Sequence, residues 1–560
     1  MAKKEFETMK KLCIGLIGLF LFFFGCDNTK PYNYGNQFSF SYESNGICFE
    51  GLEERIHDEV FYIPRTIYGL NVVSIGESAF ENCTTIKEVY IPESVTVIRK
   101  NAFKGCSNLT SVTISGNVTT IETSTFSGCS SLTEIELPNS VTAIGNSAFA
   151  GCVKLTDIII PASVTSIEAS AFSGCSNLSK IEIPDSVTAI GISAFEGCAK
   201  LTDITLPDSI TSVGASAFSG CSSLTEINIP NSVTAIGKSA FADCAKLTDI
   251  TIPPSVTSVG DSAFSGCGDL MNIIYTGKLK DWCKINGLIN LMLYGTKNRT
   301  LTIDGKEITG DFIIPDSVTV IGGYTFARCN KLTSIIIPDS VTSVGYSAFD
   351  GCSGLTEIEI PNTVTSIGTS AFSGCTKLLN ITIPDSVTSI GDFAFNGCSS
   401  LTEIKILYGV TSIGYSAFAN CTKLTNIIIP ASVTEIGESI YYNPVGCFSD
   451  CISLENIIIE GSISTLYGNT FYNCINLKEV QIVDAHKIYT SAFKGCSNLK
   501  VLLYTNTPSS ITSDNNSKFP PSCRFYVPDE SIDRYKKASG WSDYASQIYP
   551  LSTYKDKLLL

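Results

Sequence analysis

The sequence predicts a β-rich solenoid, in which one short coil of chain is stacked many times in a right-handed, curved array. Three observations carry this. Cysteines recur at a fixed step of 23 residues: Cys83, Cys106, Cys129, Cys152, Cys175, Cys198, Cys221, Cys244 and Cys267, then Cys329, Cys352, Cys375, Cys398 and Cys421. Cys451, Cys474 and Cys496 extend the series after a seven-residue insertion and with one deletion, so 17 of the 23 cysteines share one register. The apolar residues between them keep the same step, the mark of a repeat architecture. Finally, 560 residues exceed what one hydrophobic core sustains, whereas a repeat array lengthens without a central core. Composition agrees, since 44% hydrophobic and 16% charged residues lie far from the signature of disorder.

Taken in order, the chain opens with a segment that reads as an export signal. Lys3, Lys4, Lys10 and Lys11 precede the unbroken apolar run Leu12 to Phe24. That run is shorter than the ~20 residues a membrane-spanning helix needs, and it suits the core of a signal peptide. It ends in Phe23-Phe24-Gly25-Cys26, which resembles the lipobox of bacterial lipoproteins, although Phe24 stands where that motif has a small residue. The resemblance implies removal of residues 1–25, fatty chains on Cys26, and a tether over residues 26–37.

The coil itself is legible in Leu132 to Cys152. Leu132, Ile135 and Leu137 alternate with Glu134 and Glu136, as in a half-buried strand. Pro138 ends that strand because it has no N–H for the ladder. Val141 and Ile144 form a second short extended stretch, and Gly145 suits a turn with positive φ. Ala148, Phe149 and Cys152 suit one helical or 3₁₀ turn with the ring inside. Each coil has about eight inward apolar side chains and no layer of its own to cover them, so stacking is what removes them from water. This grammar runs through a first array, residues 83–271, and a second, residues 311–504. Between them lies an irregular insertion, residues 272–310, with Asp304-Gly305 as a hairpin-turn signal. A local excursion is expected there, with the solenoid continuing through it.

The unit Leu-x-x-Ile-x-Ile-Pro-x-x-Val-x-x-Ile-Gly-x-x-Ala-Phe-x-x-Cys resembles the BspA-like bacterial leucine-rich repeats over roughly residues 60 to 505. The fold class implied is a leucine-rich-repeat solenoid. The flanks fit as well. Ile63-Pro64 and Gly69-Leu70-Asn71-Val72 lead into Ile75-Gly76 and resemble the family's opening segment, placed at residues 38–82. Arg524-Phe525-Tyr526-Val527-Pro528, Tyr535-Lys536 and Gly540-Trp541-Ser542-Asp543-Tyr544 resemble its ending, a C-terminal cap over residues 505–560. The resemblance implies an exported protein that binds host matrix proteins or other cell surfaces. A scaffold does not fix a ligand, however.

Candidate chemistry is sparse. With 38 basic and 53 acidic residues, the chain lacks the basic stripe expected of a nucleic-acid binder. The cysteine register is not expected to be a disulfide ladder, because coil spacing of ~4.8 Å exceeds the ~3.8 Å between bridged Cβ atoms. Buried free thiols are the expectation, with a local bridge between Cys447 and Cys451 left open. His57 and His486 lie far apart in sequence, no Cys-x-x-Cys pair exists, and both histidines read as surface residues on irregular segments. No metal or cofactor is expected. No nucleophile elbow or phosphate loop stands in a suitable context. Catalysis would need a site confined to irregular segments such as 272–310 or 437–450, so the chain is read as non-enzymatic.

The informative surface is the outward face of the main sheet. Register places Glu134, Glu136, Asp157, Glu182, Asp203, Glu226 and Asp249 there, relieved mainly by Lys180. The plainer reading is the polar surface any wet sheet face needs. A basic partner, a divalent cation or screening would offset carboxylates stacked at strand spacing. The same face carries Tyr90, Ile159, Ile336 and Ile428. Trp282, Tyr441 and Tyr442, in the irregular pieces, are aromatic anchors of the kind interfaces favour, or else pack those loops onto the solenoid. The expected partner is a protein, with the membrane reached only through the N-terminal lipid. The expected place is the cell surface or outer membrane, with a periplasmic structural lipoprotein or plain secretion as the alternatives.

Overall fold

In the computed structural model, residues 38–52, 58–296, 299–437, 445–514 and 517–554 are described. They form a β-solenoid of about 21 turns with little helix. The chain divides into two compact units, Met1–Leu224 and Thr225–Leu560.

In the first unit the coil is built as its apolar pattern requires. Leu132, Ile135, Leu137, Val141, Ile144, Ala148, Phe149 and Cys152 are all buried, while Glu134 and Glu136 stay exposed. Strand Glu134–Glu136 pairs in parallel with Ser111–Ile114, residue on residue at the 23-residue step. Ala143–Ile144 forms a second parallel ladder with Thr120–Ile121 and Ser166–Ile167. The rings stack inside: Phe149 and Phe172 have centroids 5.4 Å apart at 5°, and Phe172 and Phe195 5.5 Å apart at 2°. The second unit repeats this arrangement. There Leu378, Ile381, Ile383, Val387, Ile390, Phe395 and Cys398 are buried, and Phe372 stacks on Phe395 at 5.3 Å.

Two details of the coil differ from the sequence reading. The segment around Phe149 is a run of turns without an α- or 3₁₀-helical element. Ala148, Ala150 and Cys152 donate to carbonyls three residues back, at 3.1 Å each. The alternate N–H groups of Ser147, Phe149 and Gly151 instead donate to Ala169, Ala171 and Ser173 of the next coil, at 2.7–2.9 Å. Beyond its first turn a helix spends its N–H groups on itself. Here left-handed Ser147 (φ 55) and Gly151 (φ 72) break it and turn half the donors outward, adding a third inter-coil ladder. Gly145, for its part, has no positive φ. It is glycine because an added Cβ would lie 2.9 Å from the Ile121 carbonyl oxygen of the preceding coil.

Repeated hydroxyls and thiols also tie coils together. Thr142 and Thr165 donate through Oγ1 to the Thr119 and Thr142 carbonyls, at 3.1 and 3.3 Å, and Thr388 bonds Thr365 likewise in the second unit. The Cys152 thiol donates to the Phe126 carbonyl at 3.2 Å. None of the described cysteines is in a disulfide. Cys447 fills the small-residue slot before Phe448, as Ala417 does before Phe418, while Cys451 continues the thiol register; both are buried and unbridged.

The insertion behaves as a local excursion. Asn272–Tyr275 pairs in parallel with both Asp249–Ile252 and Thr300–Ile303, so the main sheet extends into the insertion, ends at the hairpin strand Lys306–Glu307, and gives way to a separate sheet that begins at Gly310–Ile313. Ile303 and Lys306 close an antiparallel hairpin over Asp304 (φ 52) and Gly305 (φ 72), as the Asp-Gly signal implies. Two short helices, Leu279–Trp282 and Ile289–Met292, fold inward, burying Leu279, Trp282, Leu291 and Met292. At the N-terminal end, antiparallel strands Phe38–Glu43 and Gly46–Leu52 cover the first coil, with Phe49 stacked on Phe80 at 5.3 Å. At the other end Trp541 is fully buried, packs edge-on against Phe525 at 5.0 Å, and donates Nε1–H to the Ser509 carbonyl.

Candidate binding surface

The outward face of the main sheet comes from strand alternation: one neighbour of each inward isoleucine lies on either side of it and points to water. In the first unit Glu134, Glu136, Asp157, Glu182 and Asp203 are exposed as their register implies. Lys180 stands between Asp157 and Asp203 in the ladder and pairs with Glu182 at 2.8 Å. That hydrogen bond, reinforced by the opposite charge, raises the Lys180 ammonium pKa and lowers that of the Glu182 carboxyl. The pair is open to solvent, so it orders charge on the face more than it stabilises the fold.

In the second unit Glu226 and Asp249 are register partners. Asp249 is half-buried. Its carboxylate accepts from the Asn272 amide at 2.6 Å and from the Thr248 hydroxyl. Neutral donors thus relieve the crowding of carboxylates along this row.

Apolar side chains punctuate the face. Ile159 is 75% exposed, Ile336 57% and Ile428 52%. Ile336 has a neighbour that the sequence reading passed over: Ile313, one coil earlier in the ladder, is 65% exposed. Its signal was its position 23 residues before Ile336. Tyr90 is half-buried. It stacks on Tyr62 of the preceding coil at 4.6 Å and 10°, and its hydroxyl donates to Glu88, which raises its pKa. Tyr408, 66% exposed, stands where the coils at Asn139, Asp185, Asp208, Asp339 and Asp385 have a small polar residue after the strand-ending proline. It borders an open groove of about 700 Å³ lined also by Glu403, Lys405, Ile428 and Glu460.

The aromatic anchors fare differently. Trp282 is fully buried, lies 5.2 Å from the Tyr275 ring, and donates Nε1–H to the Thr325 carbonyl at 2.9 Å. It packs the excursion onto the solenoid and offers no ring to a partner. Tyr441 and Tyr442 lie outside the described residues, as do His57 and Cys26. His486 is exposed, but on the strand Glu479–Tyr489 rather than on an irregular segment, with Nε2 3.6 Å from Asp484.

Known proteins share this coil. Residues 54–179, 165–284, 319–446 and 444–522 match the model described as the BspA type leucine rich repeat region. The chain belongs to this family. Leucine-rich-repeat proteins generally mediate protein–protein binding. Among solved structures, the BspA-type chain is similar to a leucine-rich repeat protein from Bacteroides ovatus at 27% identity. That match covers 90% of this chain and 100% of the other, with a TM-score of 0.38. It is also similar to a leucine rich cell surface protein from Faecalibacterium prausnitzii at 30% identity, covering 77% and 95%, with a TM-score of 0.34. No curated protein matches it.

Proposed function

We propose that this BspA-type protein is an exported, lipid-anchored binding protein. On this reading its solenoid holds other proteins, in the host matrix or on another cell surface, and performs no catalysis. One observation carries the reading. Within each unit the outward sheet face sets exposed isoleucines among carboxylates on a hydrogen-bonded scaffold, Ile159 in the first and Ile313, Ile336 and Ile428 in the second. Apolar side chains repeated along one face favour a protein partner. A scaffold tied by three ladders per coil presents them with little ordering cost on binding. The positive leader and Gly25-Cys26 support export and attachment through Cys26.

Protease treatment of intact cells tests the reading, with a known periplasmic protein as control. Digestion with the control intact supports it and leads to a binding screen against matrix proteins. Protection until the envelope is opened overturns it in favour of a periplasmic scaffold.

A further inference from the structure

The outward face is not open along its whole length. Register places Glu479 and Gln481 at the outward positions occupied one coil earlier by Asn456 and Ile458. The next coils continue these rows with Lys500 and Leu502, then Arg524 and Tyr526. Polar residues in those rows should be wet. Glu479 is instead only 6% exposed and Gln481 1%.

The chain's own last described residues cover them. Leu551 to Tyr554 fold back across the face, and Tyr554 packs with Leu502 and Tyr526, flanked by Tyr504 and Leu551. The Tyr554 hydroxyl donates to Glu479 Oε2, and the Gln481 amide donates to Glu479 Oε1 at 2.6 Å. Lys500 Nζ lies 4.9 Å from the centre of the Tyr554 ring. At the base of this strap the Asp529 carboxylate accepts from the Ser552 N–H at 3.0 Å and from its hydroxyl.

Such a cover carries a cost as well as a gain. An outward carboxylate in water needs no partner, whereas one beneath a strap is desolvated and held by neutral donors, which costs free energy. The charge-assisted phenol–carboxylate bond and the buried ring offset that cost. The three features also select one side chain. The apolar floor takes a ring and the ammonium above favours its π-face. The buried carboxylate favours a ring that carries an O–H, since a phenyl ring would take the phenol donor from Oε2 and leave the Gln481 amide on Oε1.

We infer that the outward face over Glu479, Gln481, Leu502 and Tyr526 is a docking slot for a tyrosine-bearing segment of a partner protein. The chain's own Leu551–Tyr554 fills this slot until a partner displaces it. The inference rests on reading the outward face as the binding surface, but it does not depend on where the protein resides. The strap, tethered in cis, competes at an effective concentration of order millimolar, and the apparent affinity for a partner falls by the fraction of chains in which the slot is open.

The test uses the full chain, its Tyr554→Ala variant, and a fluorescein-labelled synthetic peptide with the sequence of residues 551–554, followed by fluorescence anisotropy. A second peptide ends in phenylalanine. Tyr554→Ala should bind the tyrosine peptide at least tenfold more tightly than the parent chain and prefer it at least tenfold over the phenylalanine peptide. Equal affinity for parent and variant, or no preference between peptides, overturns the inference. If Tyr554→Ala fails to fold, Tyr554→Phe and Asp529→Ala, which keep the ring, decide it: at least a threefold gain supports the slot, and no gain by either refutes it. Peptide capture by a protein shown to be protected inside the envelope would leave the slot standing and remove only the surface-exposed reading.

Discussion

Phe172→Ala probes what joins one coil to the next. The ring has no solvent exposure and is stacked on both sides, against Phe149 at 5.4 Å and Phe195 at 5.5 Å. Removing a buried phenylalanine costs about 3–5 kcal/mol in transfer and cavity terms. The loss of two ring pairs, about 0.5–1.5 kcal/mol each beyond area burial, places it toward the upper end. Because each coil touches only its neighbours, the penalty should stay local. Native-state hydrogen exchange read by mass spectrometry reports it directly. Amides of residues 149–195 should exchange roughly two to four orders of magnitude faster, the factor matching about 3–5 kcal/mol. Residues 381–418, in the other unit, should be unchanged. A local effect below about 1 kcal/mol would refute stacking as the inter-coil tie. Equal loss in both units would refute nearest-neighbour stability.

Further outcomes concern the close approaches, the thiols and the outward face. Gly191→Ala puts a Cβ 2.5 Å from the Glu168 carbonyl carbon, so it should destabilise by about 1–3 kcal/mol in urea titration. Gly305→Asn, at φ 72 with nothing within 4 Å of the added Cβ, should change little, because asparagine tolerates the left-handed region. Burial pushes the Cys175 thiol up to about 12, whereas an unfolded thiol titrates near ~8.5. The unfolded state therefore releases its proton first, and stability present below pH ~8.5 declines toward pH ~12, by about 1.4 kcal/mol per pH unit for this thiol. Urea midpoints at pH 7.5 and 10 should show the parent chain losing about 2 kcal/mol more than Cys175→Ala; identical losses would contradict a buried neutral thiol. Ile428→Lys should alter stability by less than about 0.5 kcal/mol and weaken capture of whichever protein the matrix screen identifies. Unchanged capture would exclude this part of the face.

Much of the architecture was legible because a solenoid makes its main contacts at one fixed separation. Residues 23 apart become neighbours, so the step between cysteines alone stacks Phe149 on Phe172 and pairs Glu134 with Ser111. Alternation about Ile135, Ile158 and Ile181 then decides which side chains face water, and the acidic row and the exposed isoleucines follow from it. The Asp304-Gly305 hairpin was also readable, since a two-residue turn depends on its own backbone.

Other features emerge only in the folded chain, some from how adjacent coils fit together and some from separations the repeat does not encode. The left-handed Ser147 and the close approach at Gly145 arise from how adjacent coils share hydrogen bonds and space. Trp282 reads equally as a surface anchor or as packing for its loop, and only its contact with the Thr325 carbonyl, 43 residues on, shows it buried. Glu479 reads as one more wet carboxylate until Tyr554, 75 residues later, lies over it. The coil, its period and its wet face are therefore written in the residue order, since they rest on contacts between like positions in successive turns. Which part of that face stays open, and which part the chain covers, depends on where irregular segments return to the array, and folding alone brings those distant residues together.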